Sequence, residues 1–597
     1  MKTSDSTVRA DGVRHLLLLL IPFAVLAAFW PTLRAGFITW DDDANLLNNP
    51  HFRGLDWPNL RWMFTTFHMG NYQPLSWLAI CLEYSLWGMH PFGYHATSVA
   101  FHMLNAVLFY AVAERLLRLA TRMPDDDAAP RIACAGTPWI SISIAAAFAA
   151  LFFALHPLRV EPVAWLSGQH DLQAGAFYLL AILCYLRACS GEMGRRWLVG
   201  CIALFVAAML SKTNGITLPF VLLLLDVYPL RRLPGNPKQW LEPRHRWVVL
   251  EKLPLLAVAV VAGSVSLVAR HQTSVLQPLS LGFRIQQAFY GLAFYLEKTA
   301  VPEKLMPFYP VPLDLRLPPT VVGASAGLVL AVSAVVLYWR RRWPTGLVAW
   351  VYYIVTLLPV LGLISFTTLL VADRYTYLPC MAGAVLVGAA VLAGLRRLGR
   401  KVRHLLAVGL AAVLLLLAGL SWRQSRLWHD SETLFRYVLA LNQNIPEAHN
   451  DLGFVLMKQH RTDEGMVEYR KALAIKPDFV KAMNNLGLAL LGQGHYAEAI
   501  EQYQKALALE PDYAFGHNNL GLALMYLSRP AESLPHFQKA VDLVPEYVVA
   551  RSNLGGALLM MGRVGEAIAQ YRKALELRPD YTAAATMLRI AEQQREQ

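Results

Sequence analysis

Two patterns divide the chain. Up to about Ser421, apolar runs alternate with short polar loops; beyond it, charged Ala- and Leu-rich segments carry apolar positions at helical spacing. A helix needs about 17 to 25 mostly apolar residues to cross a bilayer, somewhat fewer where neighbours shelter its ends. Eleven segments are predicted as spans: 15–34, 94–117, 139–155, 172–186, 197–210, 216–230, 250–268, 320–339, 345–364, 375–395 and 404–421. The first has a basic flank (Lys2, Arg9, Arg14) and no small-residue cleavage site after it, so it reads as an uncleaved anchor. Two shorter pieces, 74–88 and 285–301, are interrupted by Glu83 and by Glu297 and Lys298, which suits helices lying at the interface.

The basic residues orient these spans. Arg195-Arg196, Arg231-Arg232, Arg340-Arg341-Arg342 and Arg396-Arg397 all fall on one side if eleven segments cross, and Lys/Arg-rich loops face the cytoplasm. Counting 285–301 as a span would put the Arg340 cluster on the opposite side. The expected protein is thus a multi-pass protein of the cytoplasmic membrane with its N-terminus inside. Segments 35–92, 156–170, 285–319 and 365–374, and the C-terminal tract, share the outer, periplasmic or extracellular side.

The C-terminal tract is periodic. Pro477, Pro511, Pro545 and Pro579 are 34 residues apart, as are Gly453, Gly487, Gly521 and Gly555, with Tyr469, Tyr503, Phe537 and Tyr571 in step. This resembles the tetratricopeptide repeat, a helix pair in which small residues allow close approach, an aromatic fills the gap and proline ends the second helix. The predicted fold is all-α: a polytopic membrane helix bundle over 1–421, a connector and half-repeat over 422–445, an α-solenoid of four repeats over 446–579 and a capping helix over 580–597. Asp451, Asn485, Asn519 and Asn553 precede the repeated leucines and are similar to the asparagine ladder with which such solenoids hold an extended polypeptide by its backbone.

Composition sharpens this reading. With 56% hydrophobic and 16% charged residues over 597 positions and a mean hydropathy of +0.37, a disordered or purely soluble chain is unlike this one. The net charge of +13 is uneven: 446–597 holds 16 Lys and Arg against 18 Asp and Glu, leaving +15 in the membrane half, where it orients helices rather than binding nucleic acid. The six cysteines, Cys81, Cys134, Cys184, Cys189, Cys201 and Cys380, show no ligand spacing.

Candidate chemistry lies in the outer segments. Gly36 to Asp43 ends in three aspartates beside Phe37 and Trp40, which would hold the acids at the membrane surface. Together with Asn71-Tyr72-Gln73-Pro74-Leu75, the stretch from His156 to Trp165, Ser211-Lys212, Asp226 to Leu230, and Ala372 to Pro379, this order resembles the transmembrane and tetratricopeptide-repeat protein O-mannosyltransferases, specifically their bacterial relatives. These are glycosyltransferases of the GT-C class.

The resemblance implies inverting transfer of a sugar, mannose or another hexose, from a polyprenyl-phosphate donor to Ser or Thr hydroxyls, with the repeats recruiting the acceptor polypeptide. It assigns the base to Asp41 or Asp42, since an attacking hydroxyl needs a proton acceptor. Cations must meet the departing phosphate. Arg374 is first among them because guanidinium grips phosphate with two N–H groups, followed by Lys212, Arg159, His156 and Lys298. Glu161, His170 and Asp171 are supporting residues. The chain departs from its relatives at Gln169-His170-Asp171, where many read Arg-Lys-Asp or Arg-Ala-Asp; His170 would replace the missing cation only when protonated. No cofactor or metal is required by a monophosphate leaving group, although the acidic triplet could hold a divalent ion. Two other readings stand beside this one: an envelope glycan polymerase or ligase using a polyprenyl-pyrophosphate donor, and a non-catalytic membrane-anchored repeat scaffold.

Overall fold

The computed structural model describes residues 2–121, 139–191, 193–273, 279–363 and 369–596, with the backbone alone for 2–11. Cys134, the side chains of Lys2 and Arg9, the end of the expected span 345–364 and the start of the outer segment 365–374 lie outside the described residues. Two compact units emerge, Met1–Asp430 and Ser431–Gln597.

In the first unit a helix occupies each of the eleven apolar runs, but they differ in reach. Among the described residues, Pro91–Thr121, Gly194–Ser211, Arg246–His271, Pro319–Tyr338, Cys380–Arg397 and Arg400–Leu427 are long and apolar enough to cross a membrane unaided. A seventh crossing needs the pair Trp139–Ala154 and Pro157–Ala164, bent by 61°. Two of the eleven runs form helices shorter than a bilayer: Leu218–Val227 has 10 residues and Pro344–Leu357 has 14. At 1.5 Å per residue these cover about 15 and 21 Å of a hydrocarbon layer about 30 Å thick. Gln169–Ala188 is long enough, but its first turn holds Gln169, His170 and Asp171. The short helices meet single 3-10 turns, Thr213–Gly215 and Leu358–Val360. Residues of both turns line the cavity described below.

Close helix contacts fix the scaffold around that space. At Gly388, an added Cβ would lie 2.9 Å from the Ala145 carbonyl oxygen, so only glycine lets Cys380–Arg397 approach Trp139–Ala154 this closely. A buried polar knot ties four segments. The His102 Nε2 faces the Ala154 carbonyl at 3.0 Å and its Nδ1 faces the Tyr377 hydroxyl at 3.0 Å. The Asn105 amide donates to that hydroxyl at 2.9 Å and to the Leu172 carbonyl at 2.8 Å. Helix Pro74–Trp87 buries Trp77, Ile80 and Cys81 against Leu46, Phe52 and Met63. Helix Leu281–Ala300 packs on Pro319–Tyr338 beside a two-stranded pairing of Tyr309–Pro310 with Leu369–Val371.

The second unit is a run of helix pairs from Pro446–Lys458 with Thr462–Ile475 to Val548–Met560 with Val564–Leu577, preceded by Ser431–Leu441 and followed by Thr582–Glu596. The 34-residue period has a direct steric origin. A Cβ on Gly453, Gly487, Gly521 or Gly555 would come within 2.6–2.8 Å of the ring of Tyr469, Tyr503, Phe537 or Tyr571, each of them buried on the facing helix. Glycine and aromatic are thus one joint, repeated.

Gly487→Val should therefore drive the Tyr503 ring out of its slot and destabilise the repeats by about 1–3 kcal/mol, the usual cost of overpacking. Thermal unfolding of the repeats in the full-length protein checks this; an unchanged midpoint would show that the helix pair yields freely.

Candidate functional site

A cavity of about 370 Å³ opens at one end of the membrane unit. Asp41, Asn71, His170, Lys212, Arg270 and Arg374 line it with Trp165, Tyr72 and Tyr375. Four regions of sequence supply most of these groups: the loop after the first helix, the start of Gln169–Ala188, the turn after Gly194–Ser211, and the segment before Cys380–Arg397.

The aspartate loop is pinned from below. Asp42 is fully buried; its carboxylate accepts from the Ile38 N–H at 3.0 Å, the Ser167 N–H at 2.9 Å and the Ser167 hydroxyl at 2.7 Å. Burial pushes this carboxyl up to about 7 against the pull of those donors. Asp43 faces the following N–H of Ala44 at 2.9 Å and starts the short helix Asp43–Leu47. Asp41 alone of the three lines the cavity, on a backbone with φ of +82°, which a non-glycine residue rarely adopts. Trp40 stacks on Trp165 with ring centres 5.0 Å apart and packs on Phe308, so the loop is held at both ends of the acidic run.

Of the expected cations, the structure brings two to the cavity. Arg374 pairs with Glu161 through its guanidinium, and its backbone N–H donates to the other Glu161 oxygen at 2.7 Å. The guanidinium also lies over the Trp165 and Tyr375 rings, 5.1 Å from each centre. Lys212 reaches Asp171 at 2.7 Å, and Asn214 donates to the second Asp171 oxygen at 2.8 Å. The supporting residues Glu161 and Asp171 are thus the counter-ions of these two cations. His170 lines the cavity, but burial and the Lys212 and Arg374 charges hold its imidazole well below its ordinary range, so it is neutral at pH 7.

The other three expected phosphate-binding residues do not line the cavity. Arg159 is buried behind it, donating to the Thr376 hydroxyl at 2.8 Å and lying over the Phe153 ring. His156 caps its own turn: one ring nitrogen meets the Leu158 N–H at 3.3 Å and the other the Thr299 carbonyl at 3.1 Å. Lys298 sits beside Glu297, 3.2 Å away, and over the Phe294 ring. The structure thus places these three expected phosphate ligands outside the cavity lining.

Gln169, the first residue of the Gln169-His170-Asp171 run, also lies off the cavity. Its amide bonds Glu83, whose carboxyl burial raises to about 8. A neutral amide beside an acid that stays protonated near pH 7 is a matched pair. Arg270 and Ser167 were missed by sequence reading. The apolar run ends at 268 while the helix continues to Thr273, and nothing in the Trp165-to-Asp171 stretch marks the serine that anchors Asp42.

In the repeats, the expected ladder residues are joined to a second column that sequence reading passed over. The Asn485, Asn519 and Asn553 amides donate to Asn450, Asn484 and Asn518 of the preceding repeat at 2.9–3.0 Å. Asn450 and Asn518 in turn donate to Asp451 and Asn519 at 3.0 Å. The amides form a continuous zigzag along four repeats.

Comparison with known proteins agrees with this architecture. Family models described as TPR repeat or tetratricopeptide repeat match residues 468–501, 492–527 and 518–582. Human protein O-mannosyl-transferase TMTC1 is 26% identical over 491 residues, 73% of this chain and 52% of that protein. Protein O-mannosyl-transferase Tmtc3 of Drosophila melanogaster is 24% identical over 67% of this chain and 48% of its own length, and Tmtc1 of the same organism 33% identical over 33% and 21%. The chain spans about half or less of these curated relatives. Among solved structures, the TPR protein YrrB, described as having an unusual peptide-binding site, is 23% identical, covering 27% of this chain and 84% of its own with a TM-score of 0.24. The thermophilic TPR protein TTC0263 of Thermus thermophilus is 25% identical over 30% and 94%, with a TM-score of 0.25. With its apolar helices and its repeats, this chain is a multi-pass membrane protein similar over about three quarters of its length to the transmembrane and tetratricopeptide-repeat protein O-mannosyltransferases.

Proposed function

We propose that this protein is a membrane glycosyltransferase that moves a hexose from a polyprenyl-phosphate donor to Ser or Thr hydroxyls of extended polypeptides. The observation that carries the reading is a single cavity lined by one carboxylate, Asp41, and by the cations Arg374, Lys212 and Arg270. Sugar transfer needs this pairing. The acceptor hydroxyl gives its proton to a carboxylate as its oxygen bonds the anomeric carbon, and the bond from that carbon to the phosphate oxygen breaks. The lipid phosphate leaves with the electron pair and negative charge that cations must meet. Attack opposite to the departing phosphate inverts the anomeric centre.

Asp41 is the base in this scheme because it lines the cavity, whereas Asp42 spends its carboxylate on three donors of its own scaffold. Arg374 is the principal phosphate ligand: Glu161 fixes one edge of its guanidinium, and five N–H groups leave others for the phosphate. Lys212, aligned by Asp171, is the second. The arrangement of basic loops supports a cytoplasmic N-terminus, with the cavity and the repeats on the periplasmic or extracellular side.

The repeats serve acceptor capture. Each Asn485 and Asn519 amide donates one N–H to the preceding repeat, and an amide has two N–H groups and two acceptor lone pairs. The column is therefore pre-aligned by its internal bonds and still able to pair with both faces of a passing peptide group. Holding the chain near the membrane raises its effective concentration there.

Three outcomes follow. Asp41→Asn should lower kcat at least about a hundredfold with a synthetic polyprenyl-phosphate hexose and a Ser/Thr peptide, within the usual weight of a general base. Retention of full activity would remove Asp41 from the mechanism. Asp42→Asn should act on stability. The native carboxyl titrates near 7, above the unfolded value of about 4, so its contribution is complete below pH 4 and is lost as pH rises through 7. Thermal midpoints measured from pH 5 to 8 should fall in the wild type and flatten in the variant; parallel profiles would refute the assignment. Asn485→Ala with Asn519→Ala should raise KM severalfold for a long acceptor and leave a short peptide unchanged, whereas equal effects on both would sink ladder capture.

A further inference from the structure

Helix Gln169–Ala188 has its first turn at the cavity and its last turn at a second pocket, of about 240 Å³. Twenty residues of α-helix span about 30 Å, one hydrocarbon thickness. The two pockets therefore lie near opposite ends of this helix.

The second pocket has an unbalanced lining. Arg14, Arg115 and Arg187 face it with a single carboxylate, Glu114. That carboxylate is already engaged: Arg118 reaches it at 2.8 Å and the Ser143 hydroxyl at 2.7 Å, with Arg14 farther off at 3.7 Å. Arg115 gives one N–H to the Leu183 carbonyl at 3.2 Å. Arg187 lies over the Trp197 ring, 4.5 Å from its centre. Among the described residues, no carboxylate lies within ion-pair distance of Arg115 or Arg187. Three guanidinium groups thus face the pocket with one acid that Arg118 already holds, and arginine does not shed its proton to relieve the repulsion. The bundle has gathered positive charge around a space large enough for a phosphate group.

The rest of the lining identifies what carries that phosphate. Leu180, Leu183 and Ala111 form an apolar wall, and Trp197 stands at the rim. Trp139, under the Arg118 guanidinium at 4.1 Å, marks the same level; indole rings favour the headgroup zone of a bilayer. A ligand satisfying both halves has an anionic head and hydrocarbon chains. We propose that this pocket is a binding site for the phosphate headgroup of an anionic phospholipid, at the end of helix Gln169–Ala188 away from the Asp41 cavity, with its acyl chains against the Leu180 and Leu183 wall. Basic pockets between transmembrane helices recognise such headgroups by the same chemistry. The site is independent of the proposed transferase activity.

The test uses the full-length protein in detergent micelles, titrated with cardiolipin, phosphatidylglycerol, phosphatidylcholine or inorganic phosphate, with bound lipid read by native mass spectrometry and by thermal shift. Cardiolipin and phosphatidylglycerol should bind and stabilise, and phosphatidylcholine should not. Arg115→Gln with Arg187→Gln should weaken binding roughly tenfold to thirtyfold, the weight of two arginines beside an anionic lipid. Arg14→Gln, at a half-exposed position, should give a smaller loss in the same direction and decides the matter if the double variant does not fold. Equal retention of phosphatidylglycerol by the wild type and the folded variants would overturn the proposal. So would equal binding of phosphatidylcholine, or displacement of the lipid by millimolar inorganic phosphate, which would make the pocket a simple anion site.

Discussion

The membrane unit depends on the pair between Glu161 and Arg374. One carboxylate takes both the guanidinium and the backbone N–H of Arg374, so it fixes where that loop runs as well as where its charge sits. Glu161 comes from the short helix after the 61° bend, and Arg374 from the turn that leads into Cys380–Arg397. The two sides of the cavity are thereby held in register by a single side chain. Both groups are largely out of water, and removing one partner of a buried pair costs about 3–5 kcal/mol because the other is left uncompensated. Glu161 is in this sense a structural requirement for having any cation at this position.

The same economy governs the acidic loop. Three consecutive aspartates would repel one another if they shared one environment, and the fold separates them instead. Asp42 goes down to Ser167, Asp43 turns to the following backbone N–H, and Asp41 is left on the cavity wall at a φ of +82°. The unusual backbone at Asp41 follows from anchoring both neighbours: Trp40 is stacked on Trp165 while Asp42 is bonded to Ser167, two residues further along that same stretch. One short segment, Trp165 to Ser167, therefore positions the loop on both sides of Asp41.

These relations explain what the sequence could and could not reveal. The repeats were legible because glycine and aromatic form one steric joint, and a joint repeated every 34 residues leaves its period in the chain. Apolar runs gave the membrane helices for the same local reason. Their lengths were harder to read, because a helix such as Leu218–Val227 begins beside a polar turn, and an apolar run does not record where its helix stops. Side-chain direction was hidden altogether. His156, Arg159 and Glu161 lie within six residues, yet one caps a turn, one packs behind the cavity and one holds Arg374. The second asparagine column escaped notice although it is adjacent in sequence to the first, since only the stacking of repeats shows that Asn450 and Asn485 meet.

Charge is managed differently at the two ends of helix Gln169–Ala188, and the contrast bears on what each end can bind. At the cavity, Arg374 and Lys212 each have a dedicated acid, Glu161 and Asp171, so their charges are largely balanced within the site. For the transfer proposed above a weakly biased site suits turnover, because a phosphate gripped too strongly in the ground state gains little in the transition state and leaves slowly. At the other end Arg14, Arg115 and Arg187 face a pocket whose one acid, Glu114, Arg118 already holds, and the excess attracts an anion without opposing paired acids. Such an arrangement suits a resident ligand rather than a passing one. The polar first turn of the helix and its basic last turn are thus suited to different tasks, and the apolar residues between them keep the two fields one membrane thickness apart.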